Sequence, residues 1–272
     1  MRAIEQGELI ADRYLVQGFL GHGIVSIVYL AIDIVEPRTV ALKFLRSRFL
    51  EMPGLSAPGS SYPMASLLGR EIQVHKDLSH PRIVQFLDQG QRDGAPFAVL
   101  EYIDCPSLET AFTSPVPPVE AVEIMQQVLD ALAYLHDQGV IHRDLKPEHV
   151  HYSPESGVKL LDLGLAMRRD DVESTSIVSI MGSKRYGAPE QHRTQGRQSQ
   201  ATERSDVFSA AATFERLLYG PNARMGTGHP LDDELPANLL AILARAMSAD
   251  PSDRPADARA FRSELMMLEL TR

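Results

Sequence analysis

Two aspartates hold the residue pattern most able to do chemistry. Asp144 lies within His142-Arg143-Asp144-Leu145-Lys146-Pro147-Glu148-His149, and Asp162 heads the short run Asp162-Leu163-Gly164 farther along. Phosphoryl transfer needs one carboxylate to orient an attacking hydroxyl and another to hold a divalent ion, and these residues have the identity and order for both jobs. Lys146, two residues past Asp144, can steady the transferred group. Arg143 suits pairing with a phosphate on a regulatory segment. A second cation, Lys43, ends the strand-like run Val40-Ala41-Leu42-Lys43. It can reach phosphates if a carboxylate holds it, and Glu71, early on the next helical stretch, is the natural partner. Losing Lys43 is expected to cost the phosphates a positioned cation and to leave the core alone.

The elements that must position these groups are legible as patterns. Residues 13–45 alternate apolar and polar with glycines at the turns (RYLVQGFLGHG, SIVYLAID, TVALKFL), which predicts three antiparallel strands. Between the first two, Leu20-Gly21-His22-Gly23-Ile24-Val25-Ser26 has glycines that let backbone pass over phosphates, although two glycines in a hairpin are also just a turn. Residues 51–66 are rich in Pro, Gly and Ser and read as a loop. A helix follows over 67–78, then two strands in RIVQFLDQG and PFAVLEYI. From 118 the pattern turns helical, with Pro at the start of PVEAVEIMQQVLDALAYLHDQG and Gly139 just past its end. A β patch near 149–161 links the Asp144 loop to Asp162. A strand-rich first third and a helix-rich remainder predict two lobes with a cleft between them.

Farther along, Glu190 closes Gly182-Ser183-Lys184-Arg185-Tyr186-Gly187-Ala188-Pro189-Glu190. A buried carboxylate there needs a partner, and Arg254 is the candidate. Asp206 is expected to brace the Asp144 loop from a central helix.

In these motifs and their order, from about Arg13 to Leu268, the chain resembles a eukaryotic-type Ser/Thr protein kinase domain and is most similar to the bacterial members. The resemblance implies an α+β, bilobal fold. A small β-rich lobe covers about 13–102 and a larger helical lobe about 103–268. It implies ATP contacts at Leu20, Gly21, Gly23, Val28, Ala41, Lys43 and His151. Adenine hydrogen bonds would come from the backbone of Glu101 and Ile103, with Leu100 as gatekeeper. Asp144, Lys146, Lys43 and Glu71 would be catalytic, and Asp162 and His149 would hold the metal. Thr175 and Ser179 would be regulatory phosphosites facing Arg143. Lys146 implies Ser/Thr acceptors, with Ser183 where the family usually has Thr. A protein substrate or docking partner is implied.

Two departures bear on activity. His149 stands at the family's metal-binding Asn. Imidazole suits softer ions than Mg²⁺, so this predicts a second site weakened or shifted toward Mn²⁺; alternatively His149 only bonds the loop backbone, as that Asn also does. His151 replaces the aliphatic side chain under the adenine, where its polarity should weaken nucleotide binding or change its pH dependence. An active kinase is the first reading, and a pseudokinase that binds nucleotide or docks a partner is the alternative. A small-molecule kinase is disfavoured by the full set of motifs.

The bulk numbers exclude other classes. At 272 residues, 44% hydrophobic and 23% charged, the chain can bury a sizeable core. A net charge of −9 argues against nucleic acid. Cys105 is the single cysteine, which suits a reducing, cytoplasmic location. No run of about eighteen apolar residues predicts a membrane span, and the first residues lack a signal-peptide layout.

Overall fold

The computed structural model describes residues 3–23, 26–46, 67–169, 185–192, 201–221 and 234–269. The chain forms two compact units. One comprises residues 1–79 and 84–104; the other comprises 80–83 and 105–272.

The first unit is built on a six-stranded antiparallel sheet in the order β1-β2-β3-β4-β6-β5. Its strands are β1 (Leu9–Ile10), β2 (Tyr14–His22), β3 (Ser26–Asp33), β4 (Arg38–Leu45), β5 (Phe86–Arg92) and β6 (Ala95–Glu101). The three strands predicted over 13–45 are present. Period-two alternation aims one face of β4 inward: Val40, Leu42 and Phe44 are at most 1% exposed and pack with Tyr14, Val16, Tyr29, Phe97 and Val99. Each such side chain contributes roughly 1.5–3 kcal/mol on burial. Phe44 and Phe97 lie 5.1 Å apart at their ring centroids, and Tyr14 meets Phe97 edge-on at 6.0 Å. A two-residue turn, Asp93-Gly94, joins β5 to β6 with φ of +53° and +77°, the left-handed pair that a tight hairpin needs. The helix α1 (Leu67–His75) buries Leu68, Ile72 and Val74. It is shorter than the predicted 67–78, because a turn closed by the Leu78 N–H on the His75 carbonyl replaces its last part.

The turn between β3 and β4 is held by Asp33. Its carboxylate is fully buried and receives Arg13 through two bonds, Nε to Oδ1 at 2.8 Å and Nη2 to Oδ2 at 2.7 Å. The N–H groups of Val35 and Glu36 bond the same Oδ1. The Arg13 hydrogen bonds, opposed by burial and helped by those backbone N–H groups, hold the Asp33 carboxyl at about 2. A depressed folded value stabilises the fold above the unfolded value near 4, and this contribution disappears as pH falls toward 2. Asp33→Asn should therefore lower the melting temperature at pH 7, and the gap to wild type should close between about pH 4 and 2. Thermal unfolding across this range checks it; a gap independent of pH would show that the Asp33 charge contributes nothing.

The second unit is mainly helical. It contains α2 (Leu108–Ala111), α3 (Pro118–Asp137), α4 (Glu203–Tyr219), α5 (Ala237–Ala246) and α6 (Ala258–Met266). The predicted helix from 118 is α3. Gly139, at φ +68°, takes the chain out of it with its N–H on the His136 carbonyl. Nearly every residue of α4 is buried, so it is the central helix, with Phe214, Leu217, Phe261 and Leu243 in the surrounding core. Two small ladders complete the unit: β7 (Val140–Ile141) with β10 (Met167–Arg168), and β8 (Val150–Ser153) with β9 (Gly157–Leu160). Residues 80–83 belong here although both flanks lie in the first unit. The Arg82 carbonyl accepts the Leu160 N–H at 2.8 Å, and the His80 ring stacks on Tyr134. This is why the strand predicted to begin at Arg82 begins at Phe86. Among the described residues, no helix is long and apolar enough to cross a membrane.

Candidate active site

The loop carrying Asp144 is anchored before its chemistry begins. β7 leads into it, and β10 pairs antiparallel with β7 (Met167 opposite Ile141), which sets the Asp162 turn beside the loop. From α4, Asp206 accepts the backbone N–H groups of His142 and Arg143, each at 2.8 Å, as the brace expected from sequence. His136 on α3 adds its Nε2 to the same carboxylate at 3.0 Å. Burial alone would raise the Asp206 carboxyl. The His136 bond, the nearby His142 and the Arg143 N–H outweigh it and hold the group below the ordinary value. Sequence reading missed His136. A single His on an apolar helix face gives no signal until its partner, 70 residues away, is in place.

Asp144, Lys146, His149 and Asp162 come together. Lys146 Nζ lies 3.4 Å from Asp144 Oδ2. His149 Nδ1 is 2.9 Å from the Asp144 carbonyl and 3.6 Å from its carboxylate, and Nε2 is 3.5 Å from Asp162 Oδ2. A carbonyl only accepts, so Nδ1 donates to it, and Nε2 on the far side of the ring faces Asp162. The other Asp162 oxygen accepts the Gly164 N–H at 2.8 Å. An imidazole nitrogen and a carboxylate oxygen 3.5 Å apart are close enough for one cation to be held by both. Among the described residues, no group of three or more His, Cys, Asp or Glu could hold a metal alone. Two protein ligands nevertheless suit an ion whose remaining ligands are phosphate oxygens and water.

His151 on β8 is also fixed. Its Nδ1 donates to the Cys105 carbonyl at 2.6 Å. Burial lowers its pKa, the Cys105 bond opposes, and His149 lowers it further.

In the first unit, Lys43 Nζ lies 2.5 Å from Glu71 Oε1, with the residues 5% and 6% exposed. The sheet register sets Gly21, Val28, Lys43 and Ala98 in one row across four strands, and Leu30, Ala41 and Leu100 in the row two residues on, the same face. Neither Gly21 nor Gly23 has a positive φ, and a Cβ at Gly21 would meet nothing within 4 Å. Any demand for glycine at Gly21 comes from what passes over the strand, not from the fold. Leu20 is exposed. The Glu101 N–H is committed to the Gln85 carbonyl at 2.9 Å, so an adenine bond from Glu101 would run through its carbonyl. Ile103 is half-buried.

The Glu190 partner is Arg254, bidentate at 2.8 and 2.9 Å, with Ser205 donating to the same carboxylate. Arg143 is 2% exposed with Nη1 3.1 Å from Met167 Sδ. Thr175, Ser179 and Ser183 lie outside the described residues, as does the loop over 51–66.

The family profile described as "Protein kinase domain" matches residues 14–266. The chain belongs to the protein kinase family. It is 30% identical over 280 residues to serine/threonine-protein kinase PknB of Mycobacterium leprae (strain TN), an alignment covering 94% of this chain and 43% of that one. With serine/threonine-protein kinase PrkC of Bacillus subtilis (strain 168) it shares 32% over 216 residues, or 79% and 31% of the two chains. It thus spans less than half of either relative. The crystal structure of the Mycobacterium tuberculosis PknI kinase domain superposes with a TM-score of 0.69 at 25% identity, covering 97% of this chain and 99% of that one. A point mutant of the same domain gives a TM-score of 0.72 at 26% identity. The resemblance to bacterial Ser/Thr kinases is therefore borne out, and so is the α+β kinase fold. Members of this family use ATP and a divalent metal ion.

Proposed function

We propose that this kinase domain transfers the γ-phosphoryl group of ATP to Ser or Thr hydroxyls of a protein substrate. The observation that carries the reading is that Asp144 and Asp162 lie on either side of the His149 imidazole, with Lys146 against Asp144. Asp144 orients the acceptor hydroxyl and takes its proton at a carboxylate oxygen. Lys146 neutralises charge at the moving group. Asp162 and His149 would hold the divalent metal, which when bound would offset negative charge on the transferred group. Lys43, steadied by Glu71, grips the phosphates, with Leu20, Gly21, Gly23, Val28, Ala41, Glu101, Ile103 and His151 as nucleotide contacts. Arg143, Thr175 and Ser179 form the regulatory set. The Ser/Thr preference rests on Lys146 and on the names of the relatives. A cytoplasmic setting fits the single cysteine.

One observation favours the docking alternative: His149 Nε2 faces Asp162 at 3.5 Å, where a hard Mg²⁺ would prefer oxygen. Transfer of labelled phosphate from ATP to the chain itself and to a generic Ser/Thr acceptor, with Mg²⁺ or Mn²⁺, decides between them. Wild type should turn over faster with Mn²⁺, and His149→Asn should restore the Mg²⁺ preference. Identical metal profiles would remove His149 from the metal site. No transfer and no ATP-dependent thermal shift with either ion would leave the docking module.

A further inference from the structure

Gln191 follows Glu190 and belongs to none of the roles above. Its side chain is fully buried and makes two bonds in different directions. Oε1 accepts the Ala188 N–H at 3.0 Å, while the Gln191 N–H returns to the Ala188 carbonyl at 2.9 Å. Nε2 donates to the Arg143 carbonyl at 2.9 Å, 48 residues away in sequence. Only one orientation of the amide satisfies both partners, because one is a donor and the other an acceptor.

The Arg143 carbonyl belongs to the peptide unit that ends at the Asp144 nitrogen. The N–H end of that unit meets His142 Nδ1 at 3.3 Å. The peptide ahead of Asp144 is thus held at its oxygen by Gln191 and at its nitrogen by His142. Arg143 itself sits at φ +70°, a left-handed conformation that a residue with a side chain adopts only when its surroundings enforce it. Its N–H is fixed by Asp206 and its carbonyl by Gln191. With the amide removed, the peptide plane can turn, and the direction in which the Asp144 side chain leaves the backbone turns with it.

We propose that Gln191 is a positioning residue. It sets the peptide plane ahead of Asp144 and ties that plane to the seating of the Ala188–Gln191 turn, so the aspartate is aimed only when the turn is docked. This rests on the reading of Asp144 as the group that orients the acceptor hydroxyl.

Gln191→Glu keeps the acceptor for Ala188 and loses the donor for Arg143; Gln191→Leu loses both. In steady-state transfer assays, both variants should lose about tenfold or more in kcat, with the KM for ATP within about twofold of wild type. A purely structural role would lower the melting temperature and leave kcat of the folded fraction unchanged, which would overturn the proposal. Asp144→Asn run beside them separates the two readings: if it keeps turnover, the role of Asp144 is wrong whatever Gln191 does. Amide exchange on the wild-type protein needs neither folded variants nor activity. The Ala188 and Asp144 amides should open with the same denaturant dependence, and unrelated dependences would overturn the coupling.

Discussion

Asp144→Asn should cut turnover by about 10²–10⁴ while ATP affinity changes little. The substitution keeps the shape of the side chain and removes its charge and basicity. The residue faces Lys146 at 3.4 Å, and in the proposed role what is lost is the carboxylate that would orient and deprotonate the acceptor. Asp162→Asn should behave differently. The amide keeps a carbonyl oxygen for the Gly164 N–H, now bonded at 2.8 Å, so the turn survives. The charged oxygen facing His149 is gone, and metal-dependent ATP binding should weaken together with turnover. Titrating ATP with and without divalent ion by thermal shift, alongside kcat, separates the two profiles. Equal loss of binding in both variants would contradict the assignment of Asp144 to the hydroxyl, and unchanged metal dependence in Asp162→Asn would remove it from the metal.

Lys43→Met should lower turnover by about 10²–10³, the size of effect seen when one positioned group is withdrawn from developing charge. Here the structure adds an effect that spacing did not reveal. Lys43 is 5% exposed, so it sits in the folded interior, and its ammonium lies 2.5 Å from a carboxylate that is itself 6% exposed. Removing one member of a buried ion pair typically costs about 3–5 kcal/mol, because the remaining charge stays out of water. The expectation that the core would be untouched is therefore revised: Lys43→Met should also melt at a lower temperature. Lys43→Met with Glu71→Leu should recover much of the melting temperature, since an apolar pair can replace a buried ionic one, and should recover none of the activity. Turnover that returns with stability would show that Lys43 only holds the fold.

Several of the candidate residues were legible from the chain alone. Asp144, Asp162, Lys43 and Glu71 are named by residue type and order, and the strands over 13–45 by their period of two. The Arg254 partner of Glu190 was expected because a buried carboxylate must find a donor, and the Asp206 brace was expected from a central helix. Other parts needed the folded chain. Residues 80–83 leave the sheet their neighbours join, because the Arg82 carbonyl is taken by Leu160. β7 and β10 have two residues each, too few to show a period. For His149, the residue pattern left a backbone bond and a metal bond as rivals. The ring has two nitrogens, and the geometry gives one to the Asp144 carbonyl and aims the other at Asp162. His136 and Gln191 were invisible because nothing local distinguishes them; their partners lie 70 and 48 residues away. Order and periodicity are properties of a line, so the residues in a row suffice to say which chemical groups are present and in what succession. Which of them meet is settled in three dimensions, because a hydrogen bond depends on distance and direction, and those exist only once the core has packed.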